Sequence, residues 1–132
     1  MHEQSFDVSE SNMVDGVGTT HYGYDGAGQL LSEDGPWAND TVNYVYTNRL
    51  RASLSLSQVT APAWVQNYGY DPARRLTRVI SPAGEFDYTL GGASSASPLI
   101  KRLLLPNGAF ITNTYDNARR LKRIVIKTIS HA

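Results

Sequence analysis

The chain spells Tyr-Asp, four further residues and then Leu three times: Tyr24-Asp25 to Leu30, Tyr70-Asp71 to Leu76, and Tyr115-Asp116 to Leu121. A shortened copy runs from Tyr46 to Leu50, so the Tyr positions step by 22, 24 and 45 residues, the last step covering two repeats of which the middle one has decayed around Tyr88. A period in the low twenties belongs to arrays of small units, none of which can bury its apolar face alone. That constraint points to a structural module rather than to a substrate site.

Within each copy the residue pattern predicts a β-hairpin. Tyr22-Gly23-Tyr24, Tyr44-Val45-Tyr46 and Tyr68-Gly69-Tyr70 place two aromatic rings on one face of an extended strand, because side chains alternate along a strand with period two. Asp25, Asp71 and Asp116 then fall where a type I turn takes a side-chain acceptor, and Pro72 supplies a preset φ just after Asp71. Return strands follow at Gln29-Leu30-Leu31-Ser32, Arg75 to Ile80 and Arg120 to Ile126. In the second copy Tyr46 and Leu50 are four apart instead of six, an even deletion that is expected to keep Leu50 on the face used by Leu30, Leu76 and Leu121. Tyr70 and Leu76 are accordingly expected to point inward and Arg75 outward.

Reversals at the other end of the strands are marked by Glu33-Asp34-Gly35-Pro36, Ser81-Pro82-Ala83-Gly84 and Pro106-Asn107-Gly108. Glu85-Phe86-Asp87-Tyr88 reads as the relic of a Tyr-x-Tyr strand, and the Gly/Ser-rich stretch 91 to 98 replaces its Asp turn. Residues 1 to 17 lack a sustained period and read as a loose N-terminal tail; residues 18 to 129 form the array of four to five repeats. A helical period through Leu121, Ile124, Val125 and Thr128 competes with the strand reading, which the β-branched run Ile124-Val125-Ile126 favours. The expected fold is all-β: stacked antiparallel hairpins in a twisted, open strip of sheet.

Composition narrows the function classes. The chain has no Cys, which excludes disulfides and thiolate metal sites, and no apolar run near the roughly 18 residues of a membrane helix. The first residues show neither the basic nor the apolar region of a signal peptide. Zero net charge hides a polarity: residues 1 to 48 carry eight acids and no Lys or Arg, whereas residues 49 to 132 carry twelve bases and four acids. The histidines, His2, His21 and His131, have neither catalytic nor ligand spacing, so no catalytic residue, metal or cofactor is expected. Arg49 and Arg51 flank Leu50, Arg75 precedes Leu76, and Arg120 and Lys122 flank Leu121; with Leu inward these cations would align as a positive column. A column of that kind either contacts a polyanion or is a solvated face that keeps edges soluble.

Residues 21 to 127 resemble the YD-repeat, or Rhs-repeat, family, on Tyr22-Gly23-Tyr24-Asp25 with Gly28-Gln29-Leu30, Tyr68-Gly69-Tyr70-Asp71 with Arg74-Arg75-Leu76, and Tyr115-Asp116 with Arg119-Arg120-Leu121. The family's Gly before Arg-Leu survives only as Gly28, with Arg74 and Arg119 in its place. The resemblance implies a spiralling strip of hairpins, which in bacterial Rhs and toxin-complex proteins closes into a shell around a toxic polypeptide and in teneurins forms a cell-surface barrel. Its implications are a non-enzymatic shell or scaffold segment, an internal piece of a longer array, partners that are other YD-repeat segments or an enclosed toxin-like polypeptide, and a secreted or cell-surface location. The alternative is an extracellular module that binds polyanionic glycan or nucleic acid through the Arg-rich face, with nucleic acid the less expected partner. Self-association through sheet edges is also expected.

Overall fold

The computed structural model describes residues 9–91 and 96–129. Their secondary structure is entirely strand and turn, in eleven strands: β1 Glu10–Val14, β2 Thr19–Tyr24, β3 Leu30–Asp34, β4 Val42–Thr47, β5 Leu50–Leu56, β6 Trp64–Tyr70, β7 Leu76–Ser81, β8 Gly84–Leu90, β9 Ile100–Leu104, β10 Phe110–Tyr115 and β11 Leu121–Lys127. The chain divides into two units, residues 1–66 and 67–132. In the first, β1 to β5 lie side by side in chain order as an open antiparallel sheet. In the second, β6 to β11 do the same. The all-β, open-strip architecture is therefore as the repeat demanded, and Leu121–Lys127 is strand, not helix.

The array begins earlier than the sequence implied. Glu10–Val14 pairs with β2 from Glu10↔Gly23 to Val14↔Thr19, so the reading of 1 to 17 as a loose tail is corrected over this strand. Its residues are polar enough to look like a tail because all five are exposed on an edge. The rest of that reading, residues 1–8, and residues 92–95 of the 91 to 98 loop lie outside the described residues.

Each of the five repeat hairpins carries a bulge at the same place. Tyr24 pairs with Leu30 but Gly23 with Ser32; Tyr70 with Leu76 but Gly69 with Arg78; Tyr115 with Leu121 but Thr114 with Arg123. One extra residue on each return strand, Leu31, Thr77 or Lys122, shifts the alternation by one. Consequently Thr77, Val79 and Ser81 are half-buried while Leu76, Arg78 and Ile80 are exposed, which overturns the inward assignment of Leu76. Leu76 is 39% exposed and Leu121 52%. Tyr70 is half-buried as expected.

The same bulge resolves the two irregular copies. In the second hairpin Tyr46 pairs with Arg51 and Val45 with Ser53, so Arg51 rather than Leu50 holds the register of Leu30. The deletion is thus odd in register, and the expected parity is corrected. Asn48 (φ 52°) and Arg49 (φ 64°) form the two-residue left-handed turn that suits a tight hairpin. In the fourth hairpin Leu90 pairs with Ile100 and Thr89 with Arg102, which makes Tyr88-Thr89-Leu90 the relic of Tyr-x-Tyr, with Leu90 in the second Tyr position. The expected segment, Glu85 to Tyr88, was displaced by two residues because both readings keep Tyr88 on an aromatic position.

At the opposite end of the strands the linking turns stack glycine against an apolar neighbour. A side chain on Gly18 would overlap Pro36, one on Gly84 would overlap Pro106, and one on Gly108 would overlap Ile129. These glycines have φ of 151°, 118° and 81°. At Gly18 and Gly84 glycine is needed twice over, for the backbone and for the approach to a rigid proline ring; at Gly108 the backbone alone requires it, because the Ile129 side chain can turn aside. Neither unit has a second layer over its sheet: among the described residues only Ala109 and Ser97 are fully buried.

Candidate functional site

The recurrent constellation is the aspartate turn. Asp25 Oδ1 accepts hydrogen bonds from the amides of Ala27 and Gln29, both at 2.9 Å, and Asp116 Oδ1 accepts from Ala118 and Arg120, again at 2.9 Å. Asp71 Oδ1 accepts from the Arg75 amide at 2.9 Å. The main chain closes the same ring each time: Asp25 N–H donates to Gln29 O, Asp71 N–H to Arg75 O, and Asp116 N–H to Arg120 O. Short polar side chains satisfy turn amides in this way, which is why Asp follows Tyr24, Tyr70 and Tyr115. The fourth turn residue is left-handed in all three, with Gly28 at 78°, Arg74 at 64° and Arg119 at 62°. Arg74 and Arg119 thus adopt the geometry of the glycine they replace, and the three turns share one conformation.

That strain predicts a stabilising change. An L-residue held left-handed loses about 1–2 kcal/mol relative to right-handed backbone, while glycine's extra unfolded freedom costs about 0.5–1 kcal/mol. Arg119→Gly is therefore expected to raise stability by about 0.5 kcal/mol. Urea unfolding of the variant beside the wild type checks it.

The second carboxylate oxygen recruits the side chain that starts the return strand. Asp25 Oδ2 accepts from Gln29 Nε2 at 2.7 Å, Asp71 Oδ2 from Arg75 Nε at 2.7 Å, and Asp116 Oδ2 from Arg120 Nε at 2.8 Å. The amide of the residue four positions on, then its side chain, hold all three carboxyls below the usual carboxylate value of 3.8. A group whose folded pKa is depressed stabilises above its unfolded pKa and loses that contribution as the pH falls through the folded value. Stability is thus expected to fall on acidification below pH 3.8. In thermal melts across that range, the triple variant Asp25→Asn, Asp71→Asn, Asp116→Asn is expected to be flatter than the wild type.

The fourth turn has no aspartate, and Ser97 takes over its work. Gly91 N–H donates to Leu99 O at 3.0 Å, as Asp25 N–H does to Gln29 O, and Leu99 N–H donates to Ser97 Oγ at 3.2 Å, as Gln29 N–H does to Asp25 Oδ1. Arg75 Nη1 donates to Ser97 O at 3.0 Å, so one guanidinium ties the third turn to the fourth. Sequence reasoning missed Ser97 because it lies in low-complexity Gly/Ser composition and stands in for a residue six positions earlier.

Three of the five cations expected to form a column have partners of their own. Arg75 and Arg120 pair with Asp71 and Asp116, Arg51 lies 4.4 Å from the Tyr44 ring centroid, and Arg49 sits in its left-handed turn. Arg49 and Arg51 belong to the first unit, and Arg75, Arg120 and Lys122 to the second. Tyr44 also donates to Glu33 at 2.5 Å, which pushes its phenol up to about 12. His21 Nδ1 lies 2.7 Å from Asn12 Oδ1, its cross-strand neighbour. Among the described residues no group of three or more acidic or His side chains could hold a metal ion, and no helix is long and apolar enough to cross a membrane. The turns bind their own backbone, and their chemistry is that of a repeated clasp. No protein-family model matches the chain, and no curated protein matches it.

Proposed function

We propose that this chain is a non-enzymatic structural segment of a YD/Rhs-repeat shell or scaffold that encloses or displays another polypeptide. The observation that carries the reading is the missing second layer. A sheet with an aromatic face is stable when that face packs on another layer, yet among the described residues of the first unit none is fully buried, and of the second only Ala109 and Ser97. The rows of half-buried tyrosines, Tyr22, Tyr24, Tyr44 and Tyr46 in one unit and Tyr68, Tyr70, Tyr88 and Tyr115 in the other, are the surface left for an enclosed chain. The Asp71 carboxylate and the Ser97 carbonyl together hold the guanidinium of Arg75, one member of the cationic column on which polyanion binding would depend.

Co-expression with the product of the adjacent reading frame, followed by limited proteolysis, tests this. Protection of that polypeptide only when this chain is present is expected. Equal digestion with and without the chain would overturn the reading.

A further inference from the structure

Among the described residues the two ends of the strand order have no outer partner, and they differ in charge. Among the described residues β1 pairs only with β2, and β11 only with β10. All five residues of β1 and six of the seven of β11 are exposed.

The hydrogen-bond alternation shows which amides are left over. Asp15 N–H donates to Gly18 O and Tyr24 N–H to Ser9 O, so the backbone of Ser11 and Met13 faces β2, and that of Glu10, Asn12 and Val14 faces outward. At the far edge, Leu105 N–H donates to Ala109 O, which turns Phe110 and Thr112 toward β11. Their partners Lys127 and Val125 face β10, and the backbone of Ile124 and Ile126 faces outward. Each edge thus offers a ladder of N–H and C=O groups at every second residue. Groups of this kind accept another strand.

Charge selects which strand. The first unit holds eight acids and two bases, a formal −6, and the second ten bases and four acids, a formal +6. Lys122, Arg123 and Lys127 lie on β11 itself, while Glu10 lies on β1 with Asp15 just after it. Two copies of β11 brought together would oppose like charges, which destabilises a cross-strand pairing. An acidic edge on a basic edge neutralises the same residues, so the charges that prevent one pairing favour the other.

We infer that a second copy of this chain docks head to tail, adding its acidic edge strand β1 to the basic edge strand β11 of the first. This rests on the reading of the sheet as a strip made to be continued, and it names what continues it. A head-to-tail contact uses two different surfaces, so each copy keeps one free edge and the assembly grows.

Sedimentation of the full chain across a dilution series tests this first. A mass that rises above 14.5 kDa with concentration at low salt, and less so at high salt, is expected. A 14.5 kDa mass at every concentration overturns the inference. Two half-blocked variants then test its polarity. Ile126→Pro removes an outward amide from β11, and Asn12→Pro one from β1, neither of which bonds the neighbouring strand. Each alone is expected to be monomeric, and the equimolar mixture to form a one-to-one dimer. Dimers of either variant alone, or a monomeric mixture, would overturn head-to-tail pairing. Circular dichroism checks that both fold. If a proline variant does not, Lys122→Glu with Arg123→Glu and Lys127→Glu keeps the amides and is expected to abolish low-salt association; unchanged association overturns the charge selection. Protection of an enclosed polypeptide is read independently, so the two proposals fail separately.

Discussion

Gly84→Val is expected to destabilise the second unit by about 3 kcal/mol. Gly84 has a φ of 118°, a region that a β-branched residue enters only with strain of about 1–3 kcal/mol. A side chain there would also overlap Cβ and Cγ of Pro106 in the neighbouring linking turn, and overpacking adds about 1–3 kcal/mol. Relief is difficult because Pro106 is a rigid ring and Gly84 is paired with Ser81 at the head of β8. Gly26→Ala is the control: Gly26 has no positive φ, and nothing lies within 4 Å of an added methyl. Chemical denaturation of both variants decides the matter. Equal midpoints would show that the stacked linking turns contribute little.

Arg75→Ala is expected to cost about 1.5 kcal/mol, more than the roughly 0.5–1 kcal/mol expected for Leu76→Ala. The order reverses what hydrophobicity suggests. Arg75 bonds the Asp71 carboxylate at 2.7 Å and the Ser97 carbonyl at 3.0 Å, and its side chain is 27% exposed, so solvent screens the pair only in part. Leu76 is 39% exposed, which leaves only part of its side chain to lose burial. Removing Arg75 also leaves the carbonyl of the fully buried Ser97 without the donor that reaches it from the third turn. Arg75→Lys retains charge without the fork and is expected to recover less than half of the loss. If Leu76→Ala proves the more damaging of the two, the facing of β7 described above is wrong.

These two residues mark the boundary between what is legible in the chain and what is not. Tyr-x-Tyr-Asp named the strands, the turns and their order, because a period of two before the Asp and a turn acceptor after it are local properties of a few consecutive residues. The hairpins at Asp25, Asp71 and Asp116 followed from that, and the strand at Leu121–Lys127 from the β-branched run Ile124-Val125-Ile126. The facing of the return strands did not. It depends on the bulge after each Tyr and Leu pair, which is set by how the turn closes against the partner strand, and one unpaired residue exchanges the two faces. The clasp from Arg75 to Ser97 was equally hidden, since it joins residues 22 apart in chain order. The strand at Glu10–Val14 carries no period of its own and exists because β2 offers a ladder to pair with. What the sequence determined by itself is the hairpin and its repetition; register, facing and the residues that tie one hairpin to the next were decided by tertiary pairing, because they depend on which groups meet across strands.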